Sequence, residues 1–144
     1  MITLHHLEYS QSFRILWLLE ELGAPYELKI YDRDPETRLA PAEYKALSPL
    51  GTAPVITDDT GLVLAESNAV IDYILDSHPE SPLRPAPGDA ARVDYLFWFH
   101  AGVGSLMPMQ FFNGLLTCVA HRCVEVCQEH PVVHPRVHEL AAHA

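Results

Sequence analysis

Apolar and polar residues alternate with two different periods along the first part of the chain. Residues 2–7 and 26–31 carry bulky side chains at alternate positions, which predicts two β-strands. In the second strand, Ile30 falls on the face expected to be buried and Tyr31 on the opposite face. Residues 15–22 are apolar on nearly every side of a helix, so we expect a well-buried helix between the strands.

A hairpin and a further helix are predicted next. Residues 41–47 predict a short helix after a polar loop. Two apolar runs, residues 55–57 and 62–65, flank a turn in which Gly61 can adopt a positive φ, and this pattern predicts a β-hairpin. Apolar residues at helical spacing follow Ser67, so a helix is expected to start there. The predicted order of elements is β-α-β-α-β-β-α.

A proline-rich segment divides the chain. Residues 79–88 contain four prolines, which predicts a stiff connector between a domain of residues 1–78 and a helical domain of residues 89–144. Residues 95–121 contain no Asp, Glu, Lys or Arg, so a transmembrane span is one interpretation. Internal polar residues and the lack of a flanking basic cluster favour a helix buried against a domain or a dimer partner. We expect the glycines and proline in this helix to kink it: Gly102, Gly104 and Pro108.

The composition excludes several classes of function. The net charge of −10 and the scattered basic residues argue against a nucleic-acid partner. The first residues do not form a basic and then apolar leader, so a cytoplasmic setting is the default expectation. The three cysteines lie close together near the C-terminus without a Cys-x-x-Cys spacing, which disfavours a dithiol redox enzyme.

Two groups of residues are candidate metal ligands. His5 and His6 are adjacent on a predicted strand and therefore point to opposite faces, so they do not form a pair of ligands. The cysteines and histidines near the C-terminus match no standard spacing of zinc ligands, and we expect no metal site there. The residues concerned are Cys118, His121, Cys123, Cys127, His130, His134 and His138.

Residues 49–71 resemble the glutathione transferase family, in particular its bacterial, theta-like members with a catalytic serine. The matching features are Ala53-Pro54, the hairpin, and Glu66-Ser67 opening a helix, and the predicted order of elements is that of the family's thioredoxin-like domain. The resemblance implies that Pro54 is cis and that the Ala53 backbone pairs with the cysteinyl unit of glutathione. It also implies that Glu66 binds the γ-glutamyl ammonium and that Ser67 binds the γ-glutamyl α-carboxylate, helped by the helix N–H groups.

A glutathione-dependent reaction needs the thiolate, whereas a free thiol with a pKa of about 8.5 is mostly protonated at neutral pH. A hydroxyl donor at a helix N-terminus favours the anion. Ser10, four residues before Arg14, matches the catalytic serine of theta-like transferases. Ser12 is the competing candidate and Tyr9 the third, and both serines can also serve as helix caps.

The glycyl carboxylate of glutathione has no obvious cation in this sequence. Many relatives carry Lys or Arg just before the cis-proline segment, whereas this chain has Thr52. Lys45 and Arg38 are the two alternatives that the sequence offers. Which of them reaches the ligand depends on loop geometry.

The resemblance implies an α/β thioredoxin-like N-terminal domain, followed by an incomplete all-α C-terminal domain with an atypical tail at residues 117–144. It implies an enzyme of detoxification that transfers glutathione to a hydrophobic electrophile. A cytoplasmic homodimer is expected, with glutathione as co-substrate and with no metal, nucleic-acid or membrane partner. Two alternatives remain open: a non-catalytic protein-interaction module, and a truncated product with impaired activity.

Overall fold

The computed structural model describes residues 1–129, and their side chains as far as Arg122. Residues 1–100 form one compact unit, and the residues from Ala101 onward belong to a second. The elements predicted for residues 1–78 all lie in the first unit. The boundaries that the sequence predicts for the connector and the second domain stay a prediction.

A four-stranded mixed sheet lies at the centre of the first unit. Its strands are β1 (Ile2–Leu7), β2 (Tyr26–Tyr31), β3 (Val55–Asp58) and β4 (Val63–Ala65), in the order β2-β1-β3-β4. β1 and β2 run parallel, whereas β3 is antiparallel to both β1 and β4. The helices of this part are α1 (Ser12–Leu22), α2 (Ala42–Lys45) and α3 (Ser67–Asp76). The predicted β-α-β-α-β-β-α order and the thioredoxin-like fold are confirmed.

Two apolar clusters pack on opposite faces of β1, because successive strand residues point to opposite sides. The first cluster joins the sheet to α1 and α3, and its buried members are Leu4, Ile15, Leu19, Ile56, Val70 and Ile74. The second cluster joins the sheet to α2, and its buried members are Leu7, Tyr31, Tyr44 and Val55. These clusters hold the ends of β1, α1 and β3 at fixed positions relative to one another.

Two expectations about burial were wrong. α1 is not buried on all sides: Ile15 lies in the core, whereas Phe13 and Trp17 are each 63% exposed, because the helix contacts the sheet along one stripe. At the end of β2, the residue expected on the buried face is exposed, and the residue expected on the opposite face is buried. Tyr31 is only 3% exposed because it packs edge-on against Tyr44, whereas Ile30 is 63% exposed on this edge strand.

The apolar segment after the connector is helical. α4 (Arg92–Ala101) is followed by a π-helical turn at Gly102–Leu106 and by α5 (Met107–Glu129). The π-helical turn contains two of the glycines that were expected to interrupt the helix. By length and composition alone, residues 92–122 could cross a membrane, and the 18-residue window that meets this test has a mean hydropathy of 1.3. None of that window is buried within the described chain, so burial of this helix against a domain or a dimer partner stays a prediction.

Candidate functional site

A cleft of about 600 Å³ opens beside the N-terminal end of α1. The loop between β1 and α1 forms one wall, and the segment before β3 forms another. Its lining includes residues that offer a polar side chain or a backbone group to a ligand, among them Tyr9, Ser10, Arg33, Lys45, Thr52 and Ala53. Apolar surface comes from Phe13 and Leu39, so the cleft has both a polar and an apolar part.

The charged side chains that line this cleft are all cationic. They are Arg14, Arg33 and Lys45, and they come from α1, from the loop after β2 and from α2, in a chain whose net charge is −10. Clustered charge of one sign in a concave site raises the local concentration of ligands of the opposite sign. The cleft is therefore suited to an anionic ligand.

Arg33 is a residue of this site that the sequence analysis missed. Its Nε donates to the Glu8 carbonyl at 2.7 Å, and its Nη1 donates to the Arg38 carbonyl at 2.9 Å. The guanidinium thereby ties the loop after β1 to the loop before α2. A single arginine in a polar loop has no sequence pattern that distinguishes it from a solvated surface charge.

The two alternatives for the glycyl carboxylate occupy different positions. Lys45, at the end of α2, lines the cleft. Arg38 is not among the lining residues, and its guanidinium lies 5.5 Å from the centre of the Tyr9 ring. Cation–π stacking of this kind orients the exposed tyrosine at the edge of the cleft. Of the two cations, only Lys45 therefore faces the space that a ligand would fill.

The three candidate hydroxyl groups differ in burial and in their partners. Ser12 is fully buried, and its Oγ accepts the backbone N–H of Leu7 at 3.2 Å. Ser10 is half-buried at the cleft, and its Oγ lies 2.7 Å from the Leu7 carbonyl oxygen, to which it can donate. Tyr9 also lines the cleft and is 80% exposed. Ser12 is thus buried behind Ser10, and of the three hydroxyl groups only those of Ser10 and Tyr9 have access to a ligand.

The peptide bond between Ala53 and Pro54 is cis, as the resemblance implies. Ala53 lines the cleft together with Ser10. In the part of the chain that the structure describes, no backbone hydrogen bond occupies the N–H or C=O of Ala53. An extended peptide could therefore pair with this backbone as it would with a strand edge.

Glu66 and Ser67 lie next to this segment but do not line the cleft. Val55 pairs with Ala65, so the residues just after β4 run beside the residues just before β3. Ser67 is the buried first residue of α3, and Glu66 before it is exposed, with a φ of 77°. A positive φ at a residue other than glycine stores backbone strain, which proteins concentrate at functional sites.

The two adjacent histidines of β1 point to opposite faces, as predicted. His5 lies 2.9 Å from the Tyr31 hydroxyl and 2.9 Å from the Thr57 hydroxyl. Burial, and to a smaller extent the charge of Lys29, lowers the pKa of His5. His6 instead faces α1, where its Nδ1 lies 2.9 Å from Ser12 Oγ. His5 is thus a buried neutral residue of the core, and His6 belongs to the surroundings of the cleft.

No group of three His, Cys, Asp or Glu side chains is arranged to hold a metal ion within the part of the chain whose side chains are described. Cys118 is exposed there. Most of the ligand candidates weighed from the sequence lie outside this part: Cys123, Cys127, His130, His134 and His138.

Comparisons with known proteins identify the N-terminal domain. Residues 10–77 match the family profile described as the glutathione S-transferase N-terminal domain. Glutathione S-transferase 3 of Schizosaccharomyces pombe is 44% identical over 117 residues, which are 81% of this chain and 47% of that protein. Glutathione S-transferase 1 of Saccharomyces cerevisiae is 36% identical over 128 residues, 83% of this chain and 53% of that protein. The chain spans about half the length of these curated relatives.

Solved structures agree with this result. A glutathione S-transferase from Actinobacillus pleuropneumoniae superposes with a TM-score of 0.63 and 52% identity, covering 68% of this chain and 46% of that one. A glutathione transferase homologue from Lodderomyces elongisporus, solved with two glutathione molecules per subunit, has a TM-score of 0.61 and 26% identity, covering 76% and 53%. Over residues 10–77, this chain carries the N-terminal domain of the glutathione S-transferase family, with its thioredoxin-like fold.

Proposed function

We propose that this chain binds glutathione in the cleft and transfers its thiolate to a hydrophobic electrophile. The observation that carries the proposal is that Ser10, the backbone of Ala53 and the cations Arg33 and Lys45 share one cleft. Ser10 complements the thiol, the Ala53 backbone complements the cysteinyl unit, and the cations complement the negative charge of the tripeptide. Phe13 adds apolar surface on which an electrophile can lie.

The backbone of the tripeptide would pair with Ala53. The pairing of β3 with β1 ends at Val55, and the N–H and C=O of Ala53 are not used by other described backbone groups. An extended cysteinyl unit supplies the complementary C=O and N–H. This contact places the thiol between Ala53 and the start of α1.

The charged ends of glutathione would bind at two different places. The cations that line the cleft, Arg14, Arg33 and Lys45, form its cationic wall, and Lys45 takes the glycyl carboxylate there. Glu66 takes the γ-glutamyl ammonium, and Ser67 with the first N–H groups of the ten-residue helix α3 takes the α-carboxylate. The strained backbone of Glu66 supports this assignment, because strain marks functional positions.

Ser10 is the proposed catalytic residue, with Tyr9 as the alternative donor. Ser10 lies at the cleft just before α1, so its hydroxyl and the positive end of the helix both favour a thiolate over a thiol. The burial of Ser12 argues against direct contact with the sulfur. To donate to the thiolate, the Ser10 hydroxyl has to turn away from the Leu7 carbonyl.

One observation favours a non-catalytic binding module as the second candidate. The Leu7 carbonyl oxygen lies 2.7 Å from Ser10 Oγ, a short and favourable contact that competes with a thiolate for the only Ser10 proton. If that bond persists with glutathione bound, the thiol stays protonated. The chain would then bind glutathione without activating it. The homodimer and the cytoplasmic setting stay predictions under both candidates.

The test measures binding and turnover on the purified chain. Calorimetry should detect glutathione binding, and Ser67→Ala should weaken it. Ser10→Ala should lower turnover of a generic aromatic electrophile by about tenfold or more, while the affinity changes by less than about twofold. Ser81→Ala, outside the cleft, is the matched control. Binding without turnover supports the module, unchanged turnover in Ser10→Ala transfers the role to Tyr9, and no binding overturns the proposal.

A further inference from the structure

A chain of hydrogen-bonding side chains leads from the cleft into the sheet. Ser10 Oγ lies 2.7 Å from Ser12 Oγ, and Ser12 Oγ lies 2.9 Å from Nδ1 of His6. Ser12 is fully buried, so bulk water does not interrupt the chain at its middle. The Leu7 N–H donates to Ser12 Oγ at 3.2 Å and holds that oxygen in place. The cleft hydroxyl is therefore connected to an imidazole through one buried hydroxyl.

The protons of this chain can point in two directions, because each serine hydroxyl carries one. When Nδ1 of His6 is unprotonated, Ser12 can donate to it and Ser10 can donate to Ser12, so Ser10 offers only lone pairs to the cleft. When Nδ1 carries a proton, it donates to Ser12, and Ser12 donates to Ser10. The Ser10 proton is then directed to the Leu7 carbonyl or to an anion in the cleft. With Nδ1 unprotonated, Ser10 can therefore accept a proton from the cleft, and with Nδ1 protonated, Ser10 can donate one.

We propose that Ser10, Ser12 and His6 form a proton relay in which His6 is the base that receives the glutathione thiol proton. This inference rests on the proposed function. The S–H bond breaks as its proton moves to Ser10 Oγ, the Ser10 proton moves to Ser12 Oγ, and the Ser12 proton moves to Nδ1 of His6. The products are a thiolate, two neutral serines and an imidazolium, so protons and charge balance. The relay ends with Ser10 donating to the new thiolate.

The surroundings favour this transfer. A free thiol has an ordinary pKa about two units above that of a free imidazole, so the thiolate needs stabilisation by the site. The cations Arg33 and Lys45 line the cleft, and the N-terminal end of α1 adds positive potential beside Ser10. Among the described residues, His6 forms no ion pair that would compete with Ser12 for its ring.

A comparison of the two histidines distinguishes a relay from a purely structural contact. Both ring nitrogens of His5 have partners in the core, Tyr31 and Thr57, and none of these three residues lines the cleft. The hydrogen-bonding chain of His6 instead ends at a residue that does line the cleft, Ser10. A buried serine already satisfies the Leu7 N–H, so that structural role needs no imidazole.

The test compares His6→Asn with the parent chain at one neutral pH. The Asn amide can still hydrogen-bond to Ser12 but cannot take up a proton. We expect glutathione affinity within about twofold of the parent, with the ultraviolet absorbance of bound thiolate and the turnover each reduced at least about tenfold. His78→Asn is the control, because Nδ1 of His78 lies 2.9 Å from the Ile74 carbonyl oxygen and His78 is not part of the cleft. In His78→Asn, the thiolate absorbance and the turnover should both equal those of the parent chain.

The outcomes separate the relay from the function on which it rests. A parental thiolate signal and turnover in His6→Asn would overturn the relay while leaving glutathione transfer intact. No glutathione binding by the parent chain would overturn both. Nitrogen NMR of the His6 ring can be measured on the parent chain, so this test does not depend on the folding of a variant. Adding glutathione should protonate Nδ1 of His6. An unchanged tautomer and charge of the ring would refute the relay.

Discussion

Lys45→Met tests the cationic wall of the cleft. Lys45 is exposed, and within the described residues it forms no ion pair, so its charge is available to a ligand carboxylate. Its stem approaches Gly51, where an added Cβ would lie 3.5 Å from the Lys45 Cβ, and methionine keeps most of that stem. Because solvent screens an exposed contact, we expect the substitution to remove about 1 kcal/mol of binding free energy. The dissociation constant for glutathione should therefore rise about fivefold.

Calorimetry at low and at high salt measures this change. Lys29→Met is the matched control, because Lys29 is the other lysine of the chain. It lies 5.0 Å above the Tyr31 ring and does not line the cleft. The control should bind glutathione like the parent chain. Added salt should weaken binding by the parent chain and reduce the difference between parent and Lys45→Met, because screening acts on exposed charges.

Two results would refute this reasoning. Parental affinity of Lys45→Met at low salt would show that the lysine does not contact the ligand. Equal losses in Lys45→Met and Lys29→Met would show that affinity follows the net charge of the protein and not the position of the charge. Either result would leave Arg14 and Arg33 as the other cations that line the cleft.

Two further predictions concern stability. Ser12→Ala should lower the free energy of unfolding in urea by about 1–3 kcal/mol, because it leaves the buried Leu7 N–H without its partner; a loss no larger than that of Ser81→Ala would contradict this. Burial raises the pKa of Tyr44 from 10.0 to about 12, so its contribution to stability is complete below pH 10.0 and is lost as the pH rises through about 12. Tyr44→Phe should remove that part of the alkaline destabilisation, and an unchanged pH dependence would contradict it.

The order and bounds of the first strands followed closely from the sequence. Residues 2–7 and 26–31 form strands with the predicted ends, because turn residues and a helix bound them on both sides. The hairpin turn was also predictable, since Gly61 adopts the positive φ of 92° that the pattern required. These features depend on local backbone preferences, which the sequence displays directly.

Burial could not be predicted in the same way. Phe13, Trp17 and Ile30 are apolar, but each is largely exposed in the described chain. Tyr31 carries a hydroxyl but is buried, because Tyr44 and His5 provide an aromatic and a hydrogen-bonding partner. Which face of a helix or strand receives a partner depends on tertiary packing, and hydrophobicity alone does not reveal it.

The choice between Ser10 and Ser12 also required the structure. Both residues precede or begin α1 and are equally good capping residues in the sequence. The backbone at the end of β1 distinguishes the two serines, because it bonds to only one of them through an N–H group. The pairing of β1 with β3 ends at His5 and Val55, and beyond it the Leu7 N–H bonds to the Ser12 hydroxyl. Ser12 therefore turns inward and Ser10 is left at the cleft.

The cationic wall explains why the absence of a basic residue at position 52 is a weak argument against glutathione binding. Thr52 lines the cleft, but so do Lys45 and Arg33, which come from other segments of the chain. An anion responds to charge that is close in space, whichever element supplies it. The sequence offered Lys45 and Arg38 as alternatives to a cation at position 52, and the fold brings Lys45 from α2 to the same cleft. Adding a cation by Thr52→Lys should therefore increase affinity less than removing Lys45 decreases it.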